Sequence, residues 1–147
     1  MKMLLGSIVC FLVLCVSTAG GDTKKVRTLD SFIFTDCKVV IAELGEPRDI
    51  KTKDEIVTWD IRDNAVSFNK DGRVVSILTT GRLRTDKNLG VGDAAGDVYK
   101  VYGWPTTTES NTATLKATPY LRLKYAKNTF FINEDMKVVA VEACSEK

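Results

Sequence analysis

The chain of 147 residues contains no histidine. That removes the usual general base, the commonest zinc ligand and the usual partner of a serine or cysteine nucleophile. Proline is scarce, with three residues, and the charges nearly balance: 21 Lys and Arg against 19 Asp and Glu, a formal +2. No basic tail or stretch therefore marks a nucleic-acid partner. No Gly-Lys-Ser/Thr follows the glycines of GVGDAAGDVYKVYGWP (90–105), so nothing marks a phosphate-binding loop. Neither Asp54-Glu55 nor Glu134-Asp135 has the spacing of a calcium loop. No cofactor, no metal and no catalytic constellation is implied. A carboxylate-dependent hydrolase is the enzymatic alternative, since carboxylates are the only acid–base groups in place.

The N-terminus reads MKMLLGSIVCFLVLCVSTAG. Lys2 precedes an apolar run from Met3 to Val16, and the small residues Ser17 and Ala19 follow, which predicts a signal peptide over residues 1–19. The run is shorter than the ~20 residues that span a bilayer. A secreted or periplasmic (cell-envelope) location is expected. A lipid-anchored form through Cys15 is disfavoured, because Leu14 is bulky where that processing wants a small residue. Cleavage leaves Cys37 and Cys144, and two cysteines in an exported chain read first as one disulfide. Two unrelated buried thiols are the alternative.

Two stretches match each other in order. FIFTDCKVVIAELGEP (32–47) aligns with GVGDAAGDVYKVYGWP, and NAVSFNKDGRVVSI (64–77) aligns with NTFFINEDMKVVAV (128–141). The domain reading is repeat 1 over residues 20–85 and repeat 2 over 86–147, packed as one unit. Each copy opens on a helix. Cys37, Val40, Ile41 and Leu44 share one helical face, as do Ala94, Val98, Val101 and Tyr102. Thr35 and Asp93 are candidate N-caps, and Gly45 and Gly103 candidate C-caps, each with a proline two residues on. Three strands follow in each copy: 56–62, 65–69 and 73–79, then 120–126, 129–133 and 137–143, joined by short turns. The expected fold is α+β, a two-layer tandem repeat in which each copy is a short helix on a three-stranded antiparallel sheet. The glycines of 90–96 then serve a helix entrance.

Gly45, Pro47, Trp59, Gly72 and Val74-Val75 in copy one, with Gly90, Val98, Gly103, Pro105, Leu123 and Val138-Val139 in copy two, carry a resemblance. The order resembles the repeat of SmpA/OmlA-type small outer-membrane lipoproteins and of the tandem-repeat β-lactamase inhibitory proteins. That resemblance implies a short helical segment packed on an antiparallel sheet. It assigns no binding residue.

An antiparallel sheet covered on one face leaves the other to water or a partner. Strand alternation puts Asp60, Arg62, Ser67, Tyr120, Arg122, Lys124 and Phe131 on that face. Phe131 among basic residues has the composition that interfaces favour, with packing under a loop or against the other repeat as its alternative. Trp104, between Gly103 and Pro105, is a second candidate contact, or else a lid over the helix end. The loop 79–88 carries Arg82, Arg84 and Lys87, while 106–118 is polar and threonine-rich, as suits an exposed insertion. The function expected is an exported, non-enzymatic binding protein, an envelope-assembly factor or enzyme-inhibitor-like, working through its exposed sheet face. The candidate contacts are Phe131, Tyr120, Arg122, Lys124, Arg62 and Trp104. The expected partner is another exported or envelope protein; a small-ligand carrier is the further alternative.

Overall fold

A computed structural model describes residues 27–111 and 120–146. The signal peptide expected over 1–19, Cys10 and Cys15, and residues 112–118 of the threonine-rich stretch lie outside the described residues. Among the described residues a short 3-10 helix (Asp30–Phe32) and two α-helices, α1 (Cys37–Leu44) and α2 (Ala95–Tyr102), accompany eight strands. In chain order these are β1 (Asp49–Lys53), β2 (Ile56–Ile61), β3 (Asn64–Phe68), β4 (Val74–Thr79), β5 (Thr107–Asn111), β6 (Tyr120–Lys124), β7 (Asn128–Ile132) and β8 (Val138–Cys144). Among the described residues no helix is long and apolar enough to cross a membrane.

The expected two-layer tandem repeat, with three strands under each helix, is not what the chain forms. All eight strands join one antiparallel sheet in the order β1-β2-β3-β4-β8-β7-β6-β5. The two halves fuse where β4 pairs with β8, in the register Ser76↔Cys144, Ile77↔Ala143, Leu78↔Glu142 and Thr79↔Val141. Each half also has a fourth strand, β1 or β5, at an outer edge of the sheet. Their sequences, DIKTK and TTESN, carry no apolar alternation because an edge strand buries little. Residues 107–111, expected as part of an exposed insertion, are therefore strand.

Local chemistry explains the hairpins. Asp54 and Glu55 both take positive φ, 48° and 64°, as a tight two-residue turn between β1 and β2 requires. After β3, the Asn69 side chain accepts from Asp71 N and Arg73 N, both at 3.0 Å. After β7, Asn133 accepts from Lys137 N at 2.9 Å. Gly72 has φ of 72° in the first of these turns, and Met136 has φ of 57° in the second. The side chain of Met136 thus sits in a conformation that glycine adopts at no steric cost.

One core lies between the helices and one face of the sheet. Val40 of α1 and Ala95 and Val98 of α2 join Ile61, Val66, Phe68, Ile77, Phe130, Ile132 and Val141 in it. The helix starts differ from expectation. Asp36, not Thr35, caps α1 by accepting from Lys38 N at 2.9 Å. Ala94, not Asp93, precedes α2 without a side-chain cap. Asp93 instead binds the loop before it, accepting from Gly90 N at 2.9 Å and pairing with Arg84. Gly45 and Gly103 end the helices at φ of 99° and 76° with nearly trans ψ, a region open essentially to glycine alone.

Candidate functional site

The end of α2 presents an aromatic side chain to solvent. Ala95 and Val98 are fully buried and anchor the helix. Gly103 N donates to Tyr99 O at 2.9 Å, and Tyr125 Oη donates to Gly103 O at 3.0 Å. Thr106 N donates to Lys124 O at 2.8 Å as the chain enters β5. Trp104 sits between these pinned positions, 89% exposed, its ring 5.4 Å from that of Tyr99 at 55°. Val101 is exposed one turn earlier on the same helix. Trp104 is therefore no lid over the helix end. It is an aromatic group held outward.

Behind α2 lies a cleft of about 360 Å³, lined by Tyr102, Tyr125, Asp30, Asp86, Lys87 and Asn128 among others. The rings of Tyr102 and Tyr125 stand 5.1 Å apart, and buried Phe130 backs both, at 5.1 and 5.9 Å. Asn128 is nearly buried and ties this wall to an acidic one. Tyr102 Oη donates to Asn128 Oδ1 at 3.3 Å, and Asn128 Nδ2 donates to Asp30 Oδ1 at 2.7 Å. Asp86 N donates to Asp30 Oδ2 at 2.8 Å, and Thr28 Oγ1 donates to the Asp86 carboxylate. Burial pushes both tyrosine pKa values up, chiefly by penalising the phenolate. Lys87 lays its Nζ over the Tyr102 ring, 4.3 Å from the centroid. A second cavity of about 470 Å³ adjoins this one through Asp30, Asp86 and Lys127, and reaches Phe34 and Cys144.

On the sheet face turned away from the core, one row crosses all eight strands. Cross-strand pairing runs Asp49, Asp60, Ala65, Leu78, Glu142, Thr129, Lys124, Thr107. Phe131 faces this way too, paired with Ala140 and Arg122, yet it is only 8% exposed. The Arg122 guanidinium lies over its ring, 5.1 Å from the centroid. Glu109 on β5 holds both neighbouring cations, Lys124 Nζ at 2.8 Å and Arg122 Nη1 at 3.5 Å. The Lys124 hydrogen bond, first among the causes, lowers the Glu109 pKa. Tyr120 begins β6; its side chain is outside the described residues.

Arg62 is not brought to this cluster. It occupies the β2–β3 turn at φ of 54° and lines a groove of about 270 Å³ with Asp49, Asp60 and Asp63. Five strand spacings separate β2 from β6, roughly 24 Å. Of the basic residues of loop 79–88, Arg84 is spent on Asp93 and on Asn88 O, while Lys87 enters the cleft.

The expected disulfide is not formed: among the described residues Cys37 and Cys144 are not joined to each other. Cys37 packs against the core at the start of α1. Cys144 ends β8 opposite Ser76, where its Sγ donates to Lys127 O at 3.8 Å. Among the described residues no group of three or more His, Cys, Asp or Glu could hold a metal ion. Asp54-Glu55 and Glu134-Asp135 are exposed turn residues, and Asp97 pairs with Lys100 at 3.1 Å.

Sequence reading missed the cleft almost entirely. Its walls come from the N-terminal segment, the loop between the halves, α2 and the β6–β7 turn. Long-range hydrogen bonds unite them, Asn128 to Asp30, Asp86 to Asp30 and Tyr102 to Asn128, and no local pattern announces those.

No protein-family model matches the sequence, and no curated protein matches it. Solved structures do match in fold. An extracellular protein of Bacillus anthracis containing an SCP domain superimposes with a TM-score of 0.56 at 15% identity, over 82% of this chain and 46% of that one. A cysteine-rich secretory protein of Staphylococcus aureus gives 0.56 at 14%, over 81% and 45%. A DUF4309 family protein of Bacillus subtilis gives 0.51 at 17%, over 76% and 79%. None of these three is an SmpA/OmlA-type lipoprotein or a β-lactamase inhibitory protein. The chain spans about half the length of the first two, and at such identities the likeness is one of fold.

Proposed function

We propose that this is an exported, non-enzymatic binding protein that grips another exported or envelope protein through the surface around Trp104. The exposure of Trp104 carries the reading. An indole in water forgoes the ~1.5–3 kcal/mol that burying a large apolar side chain returns, and here the backbone on either side is tied down, so the ring is presented, not loose. Tryptophan is enriched among the side chains that dominate interface energy, and its rigidity makes it cheap to order on binding. Tyr99 and Val101 extend the contact. Arg122 and Lys124 on the other face are both engaged by Glu109 and make weaker anchors.

Export rests on the charged, apolar and small-residue order of residues 1–19. It also agrees with two fold neighbours, one an extracellular protein and the other a secretory protein. The carboxylate-hydrolase alternative draws no support from the exposed, turn-bound acidic pairs.

The test is capture from envelope and culture-supernatant extracts on the immobilised protein, with Trp104→Ala and Met136→Ala as paired variants. Met136 is also exposed but lies in the β7–β8 turn. One protein retained by wild type and by Met136→Ala but lost with Trp104→Ala supports the reading. Retention unchanged by Trp104→Ala overturns it.

A further inference from the structure

The cleft behind α2 combines features that separately mean little. Its two phenol rings meet at 48° and form a corner, and a T-shaped contact with Phe130 behind them keeps it rigid. Opposite stand Asp30 and Asp86, oriented by Asn128, Thr28 and the loop backbone. Lys127 also lines the cleft, with its ammonium turned toward Glu146 at 3.8 Å. The Lys87 ammonium is the one that rests on the Tyr102 ring.

We propose that this cleft is a binding site for a primary alkylammonium group, and that Lys87 is its intramolecular stand-in. An aromatic face attracts a cation through its quadrupole, and more so where water is partly excluded. Two carboxylates held across the cleft add charge of the matching sign. Lys87 already shows that an ammonium on a flexible alkyl stem fits the space. It comes from an exposed loop position, so it can withdraw and leave two carboxylates and two phenols facing an open cavity. A ligand must then displace it. Binding in the wild type is weakened by the fraction of time that Lys87 fills the corner. The proposal does not depend on Trp104 having a partner.

The experiment is a titration of the purified protein with n-butylammonium chloride, followed by NMR of the Tyr102 and Tyr125 ring protons. Sodium chloride and tetramethylammonium chloride at equal ionic strength are the comparison salts. Wild type, Lys87→Gln, and Lys87→Gln combined with Tyr102→Leu or with Asp86→Asn are compared, each first shown to be folded by its thermal melt. Lys87→Gln should saturate with butylammonium about tenfold more tightly than wild type, as expected if the stand-in fills the corner about nine-tenths of the time. Either second substitution should remove that gain. Ring shifts in Lys87→Gln no larger than those with sodium, or equal affinity in wild type and Lys87→Gln, would overturn the proposal. So would saturation by tetramethylammonium in place of butylammonium. Because the probe is a small cation, failure here leaves the Trp104 reading intact, and failure of capture leaves this one intact.

Discussion

Trp104 and Tyr99 lie ring against ring, 5.4 Å apart at 55°, the same angle that Trp59 makes with Phe68 at 4.5 Å. The contacts are alike, but the settings are not. Phe68 is buried and Trp59 packs against the core, whereas Trp104 is almost wholly in solvent. Truncating the two tryptophans should therefore separate stability from binding.

Trp104→Ala removes one aromatic contact and no core volume. Its unfolding free energy should change by less than about 1.5 kcal/mol, the range of such ring pairs. Partner affinity should fall by at least about 30-fold, the effect of truncating a hot spot of ~2 kcal/mol. Urea unfolding and a binding isotherm on the same samples check both halves. A large loss of stability with modest loss of binding would make Trp104 structural.

The seam between β4 and β8 should make the two halves unfold together. Ile77 and Ala143 face each other across it inside the common core, next to Thr79 and Val141. Ile77→Ala should cost about 2–5 kcal/mol, as cavity-forming core truncations do. It should leave a single transition, with tryptophan fluorescence and far-UV circular dichroism changing at the same urea concentration. Two separate transitions would mean that each half is stable alone.

The same seam explains what could and could not be read beforehand. Both helices and six of the strands announce themselves, because burial on one face imposes a period, as with Val40 and Leu44 or Leu121 and Leu123. β1 and β5 do not, because edge strands such as DIKTK bury almost nothing. The merger of two sheets into one is a property of Ile77 meeting Ala143 across 66 residues of chain. Strand alternation placed Phe131 on the correct face, but the lid over it is Arg122 from the next strand. Arg62 escaped alternation because a left-handed turn residue follows no strand period. The exposure of Trp104 and the cleft around Tyr102 are tertiary facts, legible only once Tyr125 and Asn128 are in place.

Cys37 and Cys144 should not be cross-linked to each other. A bridge between them would close a loop long enough to contribute about 4–5 kcal/mol, several degrees per kcal/mol in melting temperature for a domain of this size. Iodoacetamide applied to the unfolded, unreduced protein should alkylate Cys37, and peptide mapping should find no peptide in which Cys37 is joined to Cys144. A dithiothreitol-sensitive melt, with the two peptides cross-linked, would require the chain ends to rearrange from the arrangement described.

Glu109 supplies a pH signature. Its hydrogen bond from Lys124 holds the carboxyl below its ordinary range, with the charges of Lys124 and Arg122 adding to the effect and desolvation opposing it. A folded pKa lower than the unfolded value, near 4.3 for glutamate, means stability that is present above that value and lost as pH falls through the folded one. Glu109 is solvent-exposed, so the contribution is small and screened by salt. Glu109→Gln should therefore melt lower than wild type at about pH 7, and the gap should close by about pH 2, where both side chains are neutral. Raising the salt at neutral pH should narrow the gap in the same direction. The variant should also free Arg122 and Lys124 on the outer sheet face while leaving the Tyr102 cleft untouched, so butylammonium titration of Lys87→Gln should be unaffected by adding Glu109→Gln. A gap that persists undiminished at low pH would assign the loss to packing of the Glu109 side chain against β6, not to its charge.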